Sequence, residues 1–401
     1  MVKLDDYIPI IGPEEAESIR RTAAPLRGAA VQHINSAAVG GGVAEILKRL
    51  APLMRDVGLE PRWDVLRGTE DFFAVTKTFH NAFHGQDVSL TYDMFDTYRE
   101  VSRQNLQLIN KEADFVILHD QQPLGLSVLS PGHPGRWIWY CHIDPVDCHP
   151  RVWNFLRDYA ARCHAAVYHL DEYVKKDLDV KAYVMPPAID PLGDKNRDIT
   201  EPERRAALKR LGVPGDLPLV VQISRFDRLK DPVGVIRSYR LAREQAPCRL
   251  VLAGGGAGDD PEGAQVLEEA RIEAAGDPYI IIMELSPTAD LEINALQRSA
   301  AVVVQKSVRE GFGLTVTEGQ WKGRPVVASP VGGIRIQVLD GKTGLAAMGD
   351  EAVADAIARL LQDTALADSL GRAGREHVRR NFILPVYLKR WLEMMAAERG
   401  V

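Results

Sequence analysis

The feature that most constrains this chain is a regular exchange between short apolar runs and stretches of helical spacing, sustained through all 401 residues. Strand-length apolar runs fall at 29–34, 115–119, 137–142, 166–169 and 182–185, and again at 219–223, 250–252, 279–283, 301–304 and 326–328. Between the early runs, Val43, Ile46, Leu47, Leu50, Leu53, Met54 and Val57 share one helical face. Residues 233–243, 267–274, 291–299 and 315–322 read as helices between the later ones. Continuous apolar strands need cover on both faces, so the exchange predicts an α/β fold with parallel sheets wrapped by helices.

The exchange breaks once. Pro186-Pro187-Ala188-Ile189-Asp190-Pro191, running on to Asp198, has three prolines, charges and no apolar period, and reads as a linker. A new helix begins near Glu201. At roughly 100–200 residues per domain, a chain of this length holds two. The expectation is two doubly wound, Rossmann-like domains, residues 1–188 and 189–380, with a helix in 381–401. That helix ends the second domain or crosses back to brace the first. Sheets of this kind bind ligands beyond the carboxyl ends of their strands, so two of them facing each other would share one cleft.

Composition removes several function classes. Lys and Arg number 49 against 55 Asp and Glu, a net charge of −6, which offers no basic surface to nucleic acid or an anionic membrane. No apolar run approaches the ~18 residues of a membrane span. The first residues lack the basic-then-apolar plan of a signal peptide, so a cytoplasmic protein is expected. Four scattered cysteines make no disulfide framework. Three of them precede His142, His149 and His164, but without the short Cys pairs of zinc sites, and no metal site is expected.

Four constellations sit at expected strand ends. Gly40-Gly41-Gly42 follows the first strand and precedes a helix, a setting in which backbone amides can approach a phosphate; the bland reading is a plain loop. Neither it nor the glycines from Gly254 to Gly258 spell the dinucleotide fingerprint, which argues against a nicotinamide enzyme. Ser224-Arg225-Phe226-Asp227-Arg228-Leu229-Lys230-Asp231-Pro232 places Arg225 and Lys230 ahead of a helix, where two cations suit a pyrophosphate, or merely a solvated loop. Glu310-Gly311-Phe312-Gly313-Leu314 leads into a third helix, with Glu318 one turn inside it. Amides there suit sugar hydroxyls, and a carboxylate suits a ribose diol. Last, His119-Asp120-Gln121-Gln122-Pro123, Cys141-His142-Ile143-Asp144 and the pair His33 and Asn35 gather polar groups at strand ends of the first half. Their convergence on one sheet edge suits a pocket for a hydroxyl-rich acceptor.

Gly40 to Gly42, Arg225-x4-Lys230 and Glu310-x7-Glu318 together resemble the retaining nucleotide-sugar glycosyltransferases of the two-domain GT-B fold. Nearly the whole chain, including the His119-Asp120, Cys141-His142 and Pro186–Pro191 segments, is similar to trehalose synthases of the glycosyltransferring type. Gln121 stands where that family usually has proline, a departure expected to adjust the acceptor wall. The resemblance implies transfer of glucose from a nucleoside diphosphate glucose (ADP- or UDP-glucose) to free glucose, giving an α,α-1,1 linkage. It implies that Arg225 and Lys230, with Gly41 and Gly42, stabilise the diphosphate and that Glu318 holds the ribose. Glu310, Gly311, Phe312, Gly313 and Leu314 would bind the donor glucose. His142 would stand near the donor's primary hydroxyl or anomeric centre, and Asn35, Asp120, Gln122 and Asp144 on the acceptor side. No cofactor held by the protein is implied. Mg2+ would arrive with the nucleotide, Asp259-Asp260 making no metal box. A homodimer is compatible with the family. Two other readings keep the same motifs: a retaining GT-B transferase with another acceptor, and a GT-B-type nucleotide-sugar epimerase or sensor.

Overall fold

A computed structural model describes residues 2–38, 42–255 and 261–401. Its described residues divide into two units, 2–188 with 384–401, and 189–383. Each unit is built on one parallel sheet of six strands.

In the first unit the strands are β1 (Ala30–Asn35), β2 (Glu60–Val65), β3 (Phe115–His119), β4 (Arg136–Tyr140), β5 (Ala165–Tyr168) and β6 (Lys181–Val184). Their order across the sheet is β2-β1-β3-β4-β5-β6, so the winding reverses between β1 and β3. The central strands are closed to solvent, with Trp137 and Trp139 fully buried on β4. The apolar face anticipated from Val43 onward belongs to helix Gly42–Asp56, where Ile46, Leu47, Leu50, Leu53 and Met54 are buried. The terminal helix, Leu384–Arg399, belongs to this unit. Trp391 is fully buried there, with its ring 5.8 Å from that of Tyr140, while Glu398 accepts from the Tyr183 hydroxyl at 2.6 Å.

The second unit holds β7 (Leu219–Ile223), β8 (Arg249–Gly255), β9 (Ile280–Leu285), β10 (Ala300–Gln305), β11 (Val326–Ala328) and β12 (Leu345–Ala346). The order is β12-β11-β10-β7-β8-β9, the doubly wound Rossmann arrangement, reversing between β7 and β10. Val220, Leu250, Leu252, Val302 and Val304 pack on one face. Leu219, Val221, Val251 and Val303 pack on the other, as a strand period of two requires.

Four points of the sequence reading need correction. Trp137 to His142 was expected as one strand, but β4 stops at Tyr140 and leaves Cys141 and His142 just past its end. Two strands had no sequence signal: β2, a proline-bearing edge strand with mostly partial burial, and the two-residue β12. The stretch read as a linker packs into the second unit from Ile189 onward. Ile189 is buried there, and polar side chains from elsewhere hold the rest by hydrogen bonds. Asn294 Nδ2 donates to Asp194 and Arg197 oxygens at 2.8 Å each, and Lys322 Nζ donates to buried Asn196 Oδ1 at 2.9 Å. The boundary at the far end falls after Ile383, three residues beyond 380. The Ile189 N–H donates to the Phe382 carbonyl, and Ile189 bridges Ile383, which keeps both in the second unit.

Candidate active site

In the first unit, the carboxyl ends of β1, β3, β4 and β5 carry His33, His119, His142 and His169. Burial holds His33 down at about 3 and keeps His119 and His142 well below the ordinary imidazole range, so all three are neutral at pH 7. Both ring nitrogens of His142 are within hydrogen-bond distance of imidazoles, Nε2 at 2.9 Å from His119 and Nδ1 at 3.2 Å from His169. Tyr140 stacks on its ring with centroids 3.9 Å apart. Asp120 follows β3 with a left-handed φ of 65°, uncommon for a residue other than glycine, and accepts the His142 backbone N–H at 2.7 Å. Burial pushes the Asp120 carboxyl up to about 7, against the downward pull of that N–H.

The other acceptor-side candidates are more tied down than their sequence positions suggest. The Asn35 carboxamide accepts from Trp63 Nε1 at 2.9 Å and donates to the Ala37 carbonyl at 2.7 Å. Asp144 is nearly buried and accepts the Val146 N–H at 3.0 Å, a turn-forming contact. Gln122 Oε1 is a buried oxygen with no hydrogen-bond partner among the described residues, and can take a donor. Gln121 is buried, with Nε2 donating to Thr76 and its carbonyl accepting from Tyr98. Gly40 and Gly41 lie outside the described residues, and Gly42 opens its helix in an exposed position.

In the second unit, the reversal between β7 and β10 brings two sequence motifs together. Lys230 Nζ and Glu310 Oε2 are 2.5 Å apart, and Ser307 Oγ donates to the same oxygen at 3.1 Å. The two loops are also joined by the Val308 N–H donating to the Leu229 carbonyl at 2.8 Å. Both side chains of the ion pair are mostly shielded, 16% and 11% exposed. Arg225, by contrast, is 61% exposed and pairs with Asp227 at 3.1 Å, an exposed guanidinium at the loop's edge. Gly254 fits between strands at this point: an added Cβ would stand 1.7 Å from the Ser224 carbonyl oxygen.

Gly313 caps helix Leu314–Trp321 at φ 86°, a conformation that a side chain would strain. The cap fixes the turn by which the chain leaves Glu310, and Phe312 is pinned beneath it by Gln337, whose Nε2 donates to its carbonyl at 2.5 Å. Glu318 is 2% exposed, with Lys195 Nζ 3.7 Å and Gln297 Nε2 3.5 Å from its carboxylate.

Sequence reasoning missed Lys306 and Asp231. Lys306, just past β10, bonds Asp231 and stands 2.9 Å from Asp350. Asp231 has φ 46° and caps helix Pro232–Gln245 by accepting the Gly234 N–H at 2.9 Å. That cap sets the direction in which Lys230 leaves its loop. The signal available was Asp231-Pro232, a cap residue ahead of a first-turn proline. Among the described residues no group of three or more His, Cys, Asp or Glu is placed to hold a metal, and all four cysteines are free thiols.

Two doubly wound sheets, with cations and a carboxylate gathered where the second one reverses, define the class: this is a GT-B glycosyltransferase fold. A family model described as "Glycosyl transferases group 1" matches residues 203–377, and one described as "Trehalose synthase, N-terminal domain" matches residues 33–175. The trehalose synthase of Thermococcus litoralis is 41% identical over 400 residues, 98% of this chain and 96% of that one. The trehalose synthase of Rubrobacter xylanophilus is 43% identical over 406 residues, 99% of this chain and 97% of that one. The chain belongs to the trehalose synthase family. Among solved structures, one described as "Trehalose-6-phosphate from E. coli bound with UDP-2-fluoro glucose" aligns at TM-score 0.73. It covers 92% of this chain and 98% of that one at 14% identity, a likeness of fold alone.

Proposed function

We propose that the chain moves glucose from a nucleoside diphosphate glucose to free glucose, forming α,α-trehalose with retention at the donor carbon. The observation that carries the proposal is the Lys230–Glu310 contact at the point where the Rossmann sheet reverses, in a chain belonging to the trehalose synthase family.

Breaking the glycosidic bond leaves positive character on the anomeric carbon and negative charge on the departing diphosphate. Lys230 and Arg225 offset that negative charge, Arg225 by forking onto two oxygens and Lys230 as a point charge. Glu310 and the backbone of Gly311, Phe312, Gly313 and Leu314 hold donor hydroxyls, and Glu318 the ribose. On the first unit, His142 meets the donor glucose, and Asp120, Gln122, Asn35 and Asp144 face the acceptor. Because the neighbours of His142 occupy both its nitrogens, it serves as a neutral wall rather than a proton carrier. The favoured course is attack on the face the diphosphate leaves, with the phosphate oxygen taking the acceptor's proton. No resident cofactor takes part, and Mg2+ enters with the nucleotide.

Calorimetry tests the nucleotide half. Glu318→Gln removes the charge from a hydrogen bond to the ribose worth about 1.5–3 kcal/mol. The amide keeps a neutral bond worth about 0.5–1.5 kcal/mol, so the nucleoside diphosphate Kd is expected to rise roughly fivefold to tenfold, with glucose affinity unchanged. Equal affinity in a folded Glu318→Gln protein would remove Glu318 from the ribose site.

A further inference from the structure

Gln305 closes β10 and Ser307 stands two residues further on; both are 2% exposed, and neither belongs to a motif that the sequence singles out. Their side chains lead in line to Glu310. Thr315 Oγ1, in the first turn of helix Leu314–Trp321, lies 3.2 Å from Gln305 Oε1, and Gln305 Nε2 lies 2.9 Å from Ser307 Oγ. Ser307 Oγ lies 3.1 Å from Glu310 Oε2, the oxygen that also meets Lys230.

The direction of this chain is settled at one end. Glu310 is a carboxylate paired with an ammonium and can only accept, so the single Ser307 proton is spent on it. The Ser307 oxygen is left to accept, and Gln305 must turn its amide nitrogen toward it. That turn points Gln305 Oε1 at Thr315, whose hydroxyl donates. The reverse order would set a Ser307 lone pair against a carboxylate oxygen at 3.1 Å, in a buried place where water cannot relieve it. The far end is a hydroxyl, able to donate or accept, and imposes no competing order.

What the chain adds is rigidity. A lysine and a glutamate that grip only each other can swing as a pair, and holding such long side chains still costs rotamer freedom. Ser307 has a short side chain on a fixed backbone. The Gln305 carbonyl before it accepts the Ser329 N–H at 3.0 Å, and the Val308 N–H after it donates to the Leu229 carbonyl at 2.8 Å. Through Ser307, Glu310 Oε2 is tied to the end of the sheet itself.

We propose that Ser307, oriented by Gln305, is a positioning residue that aims the Glu310 carboxylate and, through it, the Lys230 ammonium. What this aim does for transfer rests on the placement of Glu310 at the donor sugar proposed above; the hydrogen-bonded arrangement itself does not.

The experiment is a double-mutant cycle on the full chain, Ser307→Ala, Glu310→Ala and the two combined, read by transfer kinetics and by urea unfolding. Ser307→Ala should lower kcat roughly tenfold to a hundredfold, the range set by losing a hydrogen bond to a charged group, with the nucleoside diphosphate Kd unchanged. Added to Glu310→Ala, the same change should cost less than about twofold, because its partner is already gone. Its effect on the urea midpoint should shrink in the same way. Ser307→Thr keeps the hydroxyl and should restore both readouts. An equal kcat loss with and without Glu310 overturns the proposal. So does a folded Ser307→Thr as slow as Ser307→Ala, or full activity in Ser307→Ala beside an impaired Glu310→Ala. Additive urea midpoints overturn it with no substrate present. Coupled midpoints with wild-type transfer in every variant would sustain the positioning and instead remove Glu310 from the sugar site.

Discussion

Replacing Lys230 with alanine is expected to lower turnover by roughly a hundredfold to a thousandfold, the scale on which a single preorganised donor at a developing negative charge contributes. Lys230 is held by Glu310 on a loop whose shape is set by the Asp231 cap and by Lys306, so on the proposed reading its ammonium is oriented before the diphosphate binds. Removing it leaves those supports in place, and the second unit should remain folded. Arg225→Ala provides the contrast. Its guanidinium is 61% exposed and pairs with Asp227, so the change should leave stability within about 0.5 kcal/mol. It should still cut turnover, because its fork closes on the leaving group only with substrate bound. Single-turnover kinetics at saturating nucleotide sugar separates the chemical step from binding. Near-wild-type rates in Lys230→Ala would remove the cation from the diphosphate.

The first unit is expected to lose stability steeply on mild acidification. His33, His119 and His142 are held below their ordinary value by burial, so the unfolded chain takes up protons that the native rows exclude as pH falls below about 6.5. A group depressed in the folded state contributes stability above its unfolded pKa and loses it as pH falls toward the folded one. Asp120 works in the opposite sense. Raised to about 7, it keeps a proton that the unfolded chain has released, and so favours the native state as pH falls from 7 toward 4. His164, partly buried, is lowered as well and acts in the same sense, so the imidazoles outweigh Asp120 by at least two protons, a loss of about 3 kcal/mol per pH unit once the unfolded imidazoles are charged. Five of the six tryptophans, Trp63, Trp137, Trp139, Trp153 and Trp391, lie in this unit, so fluorescence-detected urea unfolding reads it directly. The urea midpoint should drop sharply between pH 6.5 and 5. A flat midpoint would mean that the imidazoles titrate as if exposed.

Much of the fold was legible because its strands are short and uniformly apolar; 115–119, 219–223 and 326–328 coincide with β3, β7 and β11. What escaped had no period to read. β2 is Glu60-Pro61-Arg62-Trp63-Asp64-Val65, an edge strand whose outer side needs no apolar residue. Residues from Ile189 to Asp198 looked like a linker because prolines forbid a regular element, yet side chains from elsewhere satisfy their carbonyls. Motifs contained within one short stretch, such as Arg225 with Lys230 or Glu310 with Glu318, could be found by spacing alone. The contact between Lys230 and Glu310 could be anticipated only through the order of the strands. The histidine row was less visible still: His119 and His142 stood out as strand-end residues, but their link to His33 and His169 depends on the register of four strands, which no local pattern encodes.

The central claim is transfer from a nucleotide sugar to a free sugar with both anomeric carbons joined. Incubating the protein with ADP-glucose or UDP-glucose and glucose labelled with carbon-13 at its anomeric position, then recording the product's NMR spectrum, tests it most directly. The expected product is a non-reducing disaccharide with two α-configured anomeric carbons, one of them labelled, formed in step with released nucleoside diphosphate. A reducing or β-linked disaccharide, an epimerised nucleotide sugar, or trehalose formed from maltose alone with no nucleotide released would contradict it.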